Sequence, residues 1–134
     1  LFLGFGCVHC VEQLMAFGPA YDEFADRGID MVAIGTDTPE ILEAGLSEDG
    51  EEAYPFPLAA DPELGLFKSW RAYDDFEEVP LHGIYLIDGA GRVRWLDISF
   101  EPFLDWEFLL AESARLLGLP EPTPYHSRAD IDPR

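Results

Sequence analysis

Basic residues are scarce in this chain. Lys and Arg account for only 8 of its 134 residues, with Lys68 the single lysine, against 27 Asp and Glu, for a formal net charge of −19. Sequence-independent affinity for nucleic acid comes from cationic side chains on phosphates, and anionic lipid surfaces attract the same groups. Neither nucleic acid nor a membrane surface is expected as the primary partner. Long apolar runs are missing too. They stop at four or five residues, far short of the roughly 20 that cross a bilayer as a helix, so this segment is not expected to insert. Cysteine occurs twice, too few for a disulfide-stapled scaffold, which a 15.0 kDa chain with 48% hydrophobic residues does not need. The excess carboxylates read first as a solvated surface. No basic stretch accompanies the opening apolar run Leu1–Phe5, and that run is too short for a secretory signal. A chain that opens mid-strand on Leu1 is expected to continue a longer polypeptide, and its composition does not assign a compartment.

The remaining pattern alternates strands with helices. Leu1–Phe5 reads as a short buried strand. Val11, Leu14, Met15, Phe17, Tyr21, Phe24 and Ala25 recur at helical spacing from Val8 to Arg27, with Pro19 placed to kink the helix and Gly28 at its C-terminal cap. Residues 29–35 are β-branched and almost continuously apolar, as in a strand covered on both faces. Thr38 and Pro39 look like the N-cap and first residue of a helix that ends near Ser47. Phe56–Ala60 reads as an edge strand because of its prolines, and Asp61-Pro62 as a second helix start carrying Leu64, Phe67 and Trp70 inward. Tyr73–Glu78 reads as an acidic loop without metal-binding spacing. Ile84–Ile87 and Val93–Leu96, joined by Asp88-Gly89-Ala90-Gly91, form a hairpin signal. Phe103–Leu117 is a last amphipathic helix ended by Gly118. This order predicts an α/β domain over 1–119, one mixed sheet with helices on both faces and a C-terminal hairpin plus helix. A Pro-rich polar tail, 120–134, follows.

Cys7-Val8-His9-Cys10 falls where a strand gives way to a helix. The first turn of a helix has unpaired N–H groups and the positive end of the macrodipole, and a thiolate is an anion suited to that place. Cys7, nearer the helix start, is the expected nucleophile, and Cys10, one turn on, the resolving thiol of a thiol–disulfide exchange. His9 between them could supply charge or a hydrogen bond. Structural zinc generally takes four ligands. With one cysteine pair, and only His9, His82 and His126 to complete it, no metal is expected. Covalent haem attachment needs His directly after the second cysteine, where Val11 stands. An inert pair of core cysteines stays open as the bland alternative.

Taken together these segments resemble the thioredoxin superfamily, and within it the peroxiredoxin-like branch of alkyl hydroperoxide reductases and thiol-specific antioxidants. Leu3–Leu14 is similar to that branch's active-site strand, turn and helix, and Ile29–Asp37 to its second strand. Phe56–Pro62 resembles the Phe-Pro-Leu…Asp segment, and Gly83–Asp88 with Gly91–Val93 the closing hairpin. The resemblance covers roughly residues 1–118 and implies a thioredoxin-like fold, redox chemistry at Cys7 and no cofactor.

Two departures bear on the activity. Peroxiredoxins place Thr or Ser three residues before the peroxidatic cysteine, where this chain has Gly4, and an arginine before the hairpin strand, where it has His82. His82 is a weaker source of positive charge. The dithiol with His before its second cysteine resembles thioredoxins instead. Their cis-proline would fall close to His82, with Pro80 the nearest proline, and their buried acid lies upstream of Leu1, leaving Glu12 and Asp37 as nearby candidates. The reading therefore favours a thiol–disulfide oxidoreductase acting on protein or small-molecule disulfides through Cys7 and Cys10, with His9, Pro80 and His82 in support. The alternatives are a thiol peroxidase, with Cys7 oxidised by peroxide and Cys10 resolving, and a non-catalytic binding module of a larger protein. Trp70, Trp95 and Trp106 are expected to be packing residues.

Overall fold

The helical spacing after the cysteine pair builds α1, Val8–Ala25, in a computed structural model that describes residues 1–49 and 54–119. Leu14, Phe17, Ala20 and Phe24 are buried along one face. Pro19 and Met15 both lie on the exposed side, so the hydrogen bond that proline cannot donate is lost away from the core, and α1 runs through Pro19 as one helix. Gly28, at φ +77, closes the end. Its N–H bonds the Ala25 carbonyl and that of Ile29 the Phe24 carbonyl, the pairing of a Schellman cap.

The remaining elements follow in chain order: β1 (Ala33–Gly35), α2 (Pro39–Asp49), β2 (Leu58–Ala60), α3 (Gly65–Ser69), β3 (Tyr73–Asp74), β4 (Val79–Pro80), β5 (His82–Ile87), β6 (Val93–Ser99) and α4 (Trp106–Leu117). β1 and β2 pair in parallel, with Ala33 opposite Leu58, and β5 and β6 antiparallel, with His82 opposite Ser99. The first residues join these pairs. The Leu1 nitrogen donates to the Gly83 carbonyl at 2.7 Å, and the Leu1 carbonyl accepts from the Gly83 N–H at 3.2 Å. Phe2 bridges to Gly35 in parallel, its N–H donating to the Ile34 carbonyl. The result is the mixed α/β architecture the pattern predicts, but its strands pair as three two-stranded sheets, β1–β2, β3–β4 and β5–β6, rather than as one sheet, and the run Leu1–Phe5 is reduced to a bridge.

Other boundaries move for local reasons. Thr38 caps α2, its hydroxyl accepting from the Ile41 N–H, and α2 extends to Asp49 rather than ending near Ser47. The helix expected to open at Asp61-Pro62 begins at Gly65. The Asp61 carboxylate still serves its start, accepting from the N–H groups of Leu66 and Phe67 across a turn in which Leu64 has φ +62. Phe67 is fully buried there, whereas Trp70 is 36% exposed. Tyr73–Glu78 is not wholly loop: β3 and β4 make a small antiparallel pair, Tyr73 opposite Pro80. The hairpin turn holds as predicted, the Asp88 carboxylate accepting from the N–H groups of Ala90 and Arg92. Asp105 caps α4 through the Phe108 N–H at 3.1 Å, so this helix starts three residues later than its apolar pattern suggests.

The core gathers Phe2, Cys10, Leu14, Phe17, Phe24, Phe56, Leu109 and Leu110, joining the N-terminal bridge, α1 and α4. Trp95 packs against Phe103 with ring centres 5.2 Å apart, and Trp70 meets Tyr85 edge-on at 5.0 Å, as packing residues do. No helix among the described residues is long and apolar enough to cross a membrane. The tail 120–134 lies outside the described residues.

Candidate redox site at the start of α1

The turn between the N-terminal bridge and α1 determines where the first thiol stands. Gly4 has φ +94, and its carbonyl accepts from the Cys7 N–H at 3.2 Å. Asp37, from the loop after β1, reaches over this turn and accepts from the Phe5 N–H at 2.8 Å. A Cβ on Gly4 would meet the Asp37 carboxyl at 2.6 Å. The place where the resemblance expects a peroxide-holding hydroxyl is thus filled by Asp37. Cys7 then becomes the N-cap residue of α1, with extended φ and ψ and with its carbonyl accepting from the N–H groups of Cys10 and Val11. Its sulfur sits at the positive end of an 18-residue helix.

Cys10, one turn along, points inward and is fully buried, while Cys7 is partly exposed. The Leu3 N–H donates to the Cys10 sulfur at 3.3 Å. His82, the first residue of β5 and 5% exposed, closes the site, with Nε2 2.8 Å from Cys10 Sγ and 3.9 Å from Cys7 Sγ. Burial, reinforced by the neighbouring Cys7 thiol, pushes the Cys10 thiol up to about 12, outweighing the Leu3 N–H that favours the thiolate. Burial also lowers the pKa of His82, although the carbonyls of Phe100 and Ser99 and the Glu101 charge favour its protonation. Its Nδ1 is buried without a hydrogen-bond partner. With the ring neutral and Nδ1 carrying the proton, Nε2 accepts from the Cys10 S–H across the 2.8 Å contact.

Of the residues singled out from sequence, the fold brings together Cys7, Cys10 and His82. His9 instead projects to the surface, its Nδ1 3.4 Å from Glu12, with both side chains more than half exposed. Pro80 sits in β4 opposite Tyr73, and no peptide bond among the described residues is cis. Both cysteines buried as inert core is not what the structure shows, since Cys7 is open at the mouth of α1. Sequence reasoning missed the Cys10–His82 contact, because 72 residues separate the partners. The one signal was the correspondence that set His82 at the start of the hairpin strand.

Comparison with known proteins agrees with this layout. The AhpC/TSA family model matches residues 1–96. Peroxiredoxin TSA1 of Saccharomyces cerevisiae is 28% identical over 97 residues, 69% of this chain and 50% of its own length. The thioredoxin peroxidase of Echinococcus granulosus is 26% identical over 97 residues, again 69% and 50%. Peroxiredoxin 2 of Sulfuracidifex metallicus is 26% identical over 91 residues, 65% and 42%. The chain spans about half the length of the curated relatives it matches. The family match spans both cysteines and the hairpin strand that carries His82, and the chain belongs to the AhpC/TSA family.

Proposed function

We propose that this domain is a thiol-dependent peroxide reductase in which Cys7 is oxidised and Cys10 resolves. One observation carries the reading: a partly exposed thiol at the helix mouth stands beside a buried thiol whose sulfur lies 2.8 Å from Nε2 of His82. Attack of the Cys7 thiolate on the peroxide breaks the O–O bond, leaving a sulfenic acid on Cys7 and releasing the alcohol or water. Cys10 then attacks the Cys7 sulfur, its proton passes to His82 Nε2, and hydroxide leaves as water. The balance is one peroxide and two thiols to one disulfide, one alcohol or water, and one water. A thiol partner returns the dithiol by exchange.

A second reading is supported by Gly4 and His82. With Asp37 over Gly4 and a neutral ring where the resemblance expects arginine, the pair would exchange with protein or small-molecule disulfides and meet peroxide only slowly. Variants separate the mechanisms. Cys10→Ser should halt at a sulfenic acid that a 1,3-dione reagent captures on Cys7, and Cys7→Ser should not react with peroxide. Peroxide consumption by Cys7→Ser at the parent rate would end the proposal, whereas a mixed disulfide trapped on Cys7 without any sulfenate would favour the second reading.

A further inference from the structure

We propose that reduced Cys7, Cys10 and His82 form a binding site for a thiophilic closed-shell cation, Zn(II) or Cu(I). The cysteine pair alone offers two ligands. The fold adds a third, and the two sulfurs and the imidazole nitrogen all lie within 4.8 Å of one another. Around a tetrahedral zinc with bonds of about 2.3 Å to sulfur and about 2.0 Å to nitrogen, donor atoms stand roughly 3.5–3.8 Å apart. The observed Nε2 separations of 2.8 Å and 3.9 Å bracket the nitrogen–sulfur edge of that tetrahedron, and the two sulfurs lie within 4.8 Å of each other.

The chemistry of the donor set points the same way. Two thiolates with an imidazole suit Zn(II) and Cu(I) and match poorly with Mg(II) or Ca(II), which take oxygen. His82 turns Nε2 toward the sulfurs, while its Nδ1 stays buried on the side away from them. Cys10 and His82 are buried and Cys7 is partly exposed, which leaves the remaining coordination position facing solvent. Zn(II) would fill that position with water, and Cu(I) is satisfied by three donors. The net charge of −19 raises the local concentration of either cation.

Binding displaces the two thiol protons and forms two metal–sulfur bonds, with no change of oxidation state. Since the same sulfurs form the disulfide, metal and disulfide exclude each other: a bound ion shields the thiols from oxidation, and an oxidant that closes the disulfide releases the ion.

The test is an anaerobic titration of the reduced, chelator-stripped chain. Zn(II) is followed by competition with a chromophoric chelator, and Cu(I) by competition with bicinchoninate. One ion per chain is expected, with no binding to the disulfide form. His82→Ala should weaken binding beyond the roughly 10–100-fold that loss of an outer-shell partner costs. X-ray absorption on the loaded parent protein should show two sulfurs near about 2.3 Å and one imidazole nitrogen near about 2.0 Å. This readout needs no variant to fold. A fourth light scatterer would indicate the zinc form, and three-coordination the copper form. Binding no tighter than in a Cys7→Ser/Cys10→Ser double variant, or a sulfur shell without imidazole, would overturn the proposal. No oxidant enters the titration, so its failure is distinct from failure of the peroxide reading.

Discussion

His82 differs from the arginine it replaces in the resemblance because it can accept a proton as well as contact sulfur. Cys10 is held as a thiol by burial, and a thiol must lose its proton to attack. The ring 2.8 Å away is the acceptor within reach. Removing it in His82→Ala should slow closure of the Cys7–Cys10 disulfide by about 100-fold or more, the scale of general-base catalysis. The first oxidation of Cys7 should change far less. Rapid-quench mass spectrometry of metal-free protein would resolve the two steps, and equal slowing of both would contradict the assignment. The pH dependence follows from the lowered pKa of His82. Acid protonates Nε2 and removes the acceptor, so closure should slow as pH falls, with a midpoint below the ordinary imidazole range, and stay level through neutral pH. At the same scale, Gly4→Thr should not create a better peroxide site. Its side chain would enter the Asp37 carboxyl and its backbone would be held at φ +94, costing on the order of 1–3 kcal/mol for the strain alone. Urea denaturation checks this, and an unchanged midpoint would argue against the Gly4–Asp37 packing.

Among the elements, several with strong local signals formed where the sequence predicts them, although the helix expected at Asp61-Pro62 begins at Gly65. Thr38 caps α2, Gly28 closes α1, and the Asp88 carboxylate organises the hairpin turn, each through contacts within a few residues. Asp105 is the same kind of signal, and Asp105→Ala should cost about 1 kcal/mol through loss of the Phe108 N–H bond. Thermal melts would detect this, and no loss would mean the cap is dispensable. At the hairpin, hydrogen bonds from the Arg92 and Ala90 N–H groups and from Arg94 lower the Asp88 pKa, against some opposing desolvation. A carboxylate with a depressed folded value stabilises above its unfolded pKa and loses that contribution as pH falls through the folded one. The hairpin amides should therefore exchange faster with solvent in acid, and Asp88→Asn should remove that dependence. Less legible were Leu1–Phe5, where tertiary pairing with Ile34 and Gly83 determines how much strand forms, and β3–β4, whose short pairing leaves no periodic trace between acidic residues. Cys7 and Cys10 could be read because they are neighbours on one helix turn. The contact from His82 could not, since only the sheet brings residue 82 to residue 10.

For the molecule as a whole, the site is built where separate parts of the chain meet: the turn at Gly4, the mouth of α1, the loop bearing Asp37 and the first residue of β5. The buried cluster of Phe2, Leu14, Phe24 and Leu110 holds those parts together. With 27 acidic residues against 8 basic, self-repulsion opposes this compact state. Raising salt shortens the screening length from about 30 Å at 0.01 M to about 3 Å at 1 M. The melting temperature should accordingly rise with sodium chloride, and a flat or falling dependence would show that the carboxylates are already compensated in the fold. The most direct test of the redox account is stopped-flow oxidation of the fully reduced, metal-free chain by hydrogen peroxide, set beside its oxidation by glutathione disulfide. The account predicts loss of both thiols to peroxide orders of magnitude faster than for free cysteine, ending in the Cys7–Cys10 disulfide. Reaction with peroxide at the free-thiol rate, alongside ready and reversible exchange with glutathione disulfide, would contradict it and make the dithiol a disulfide exchanger.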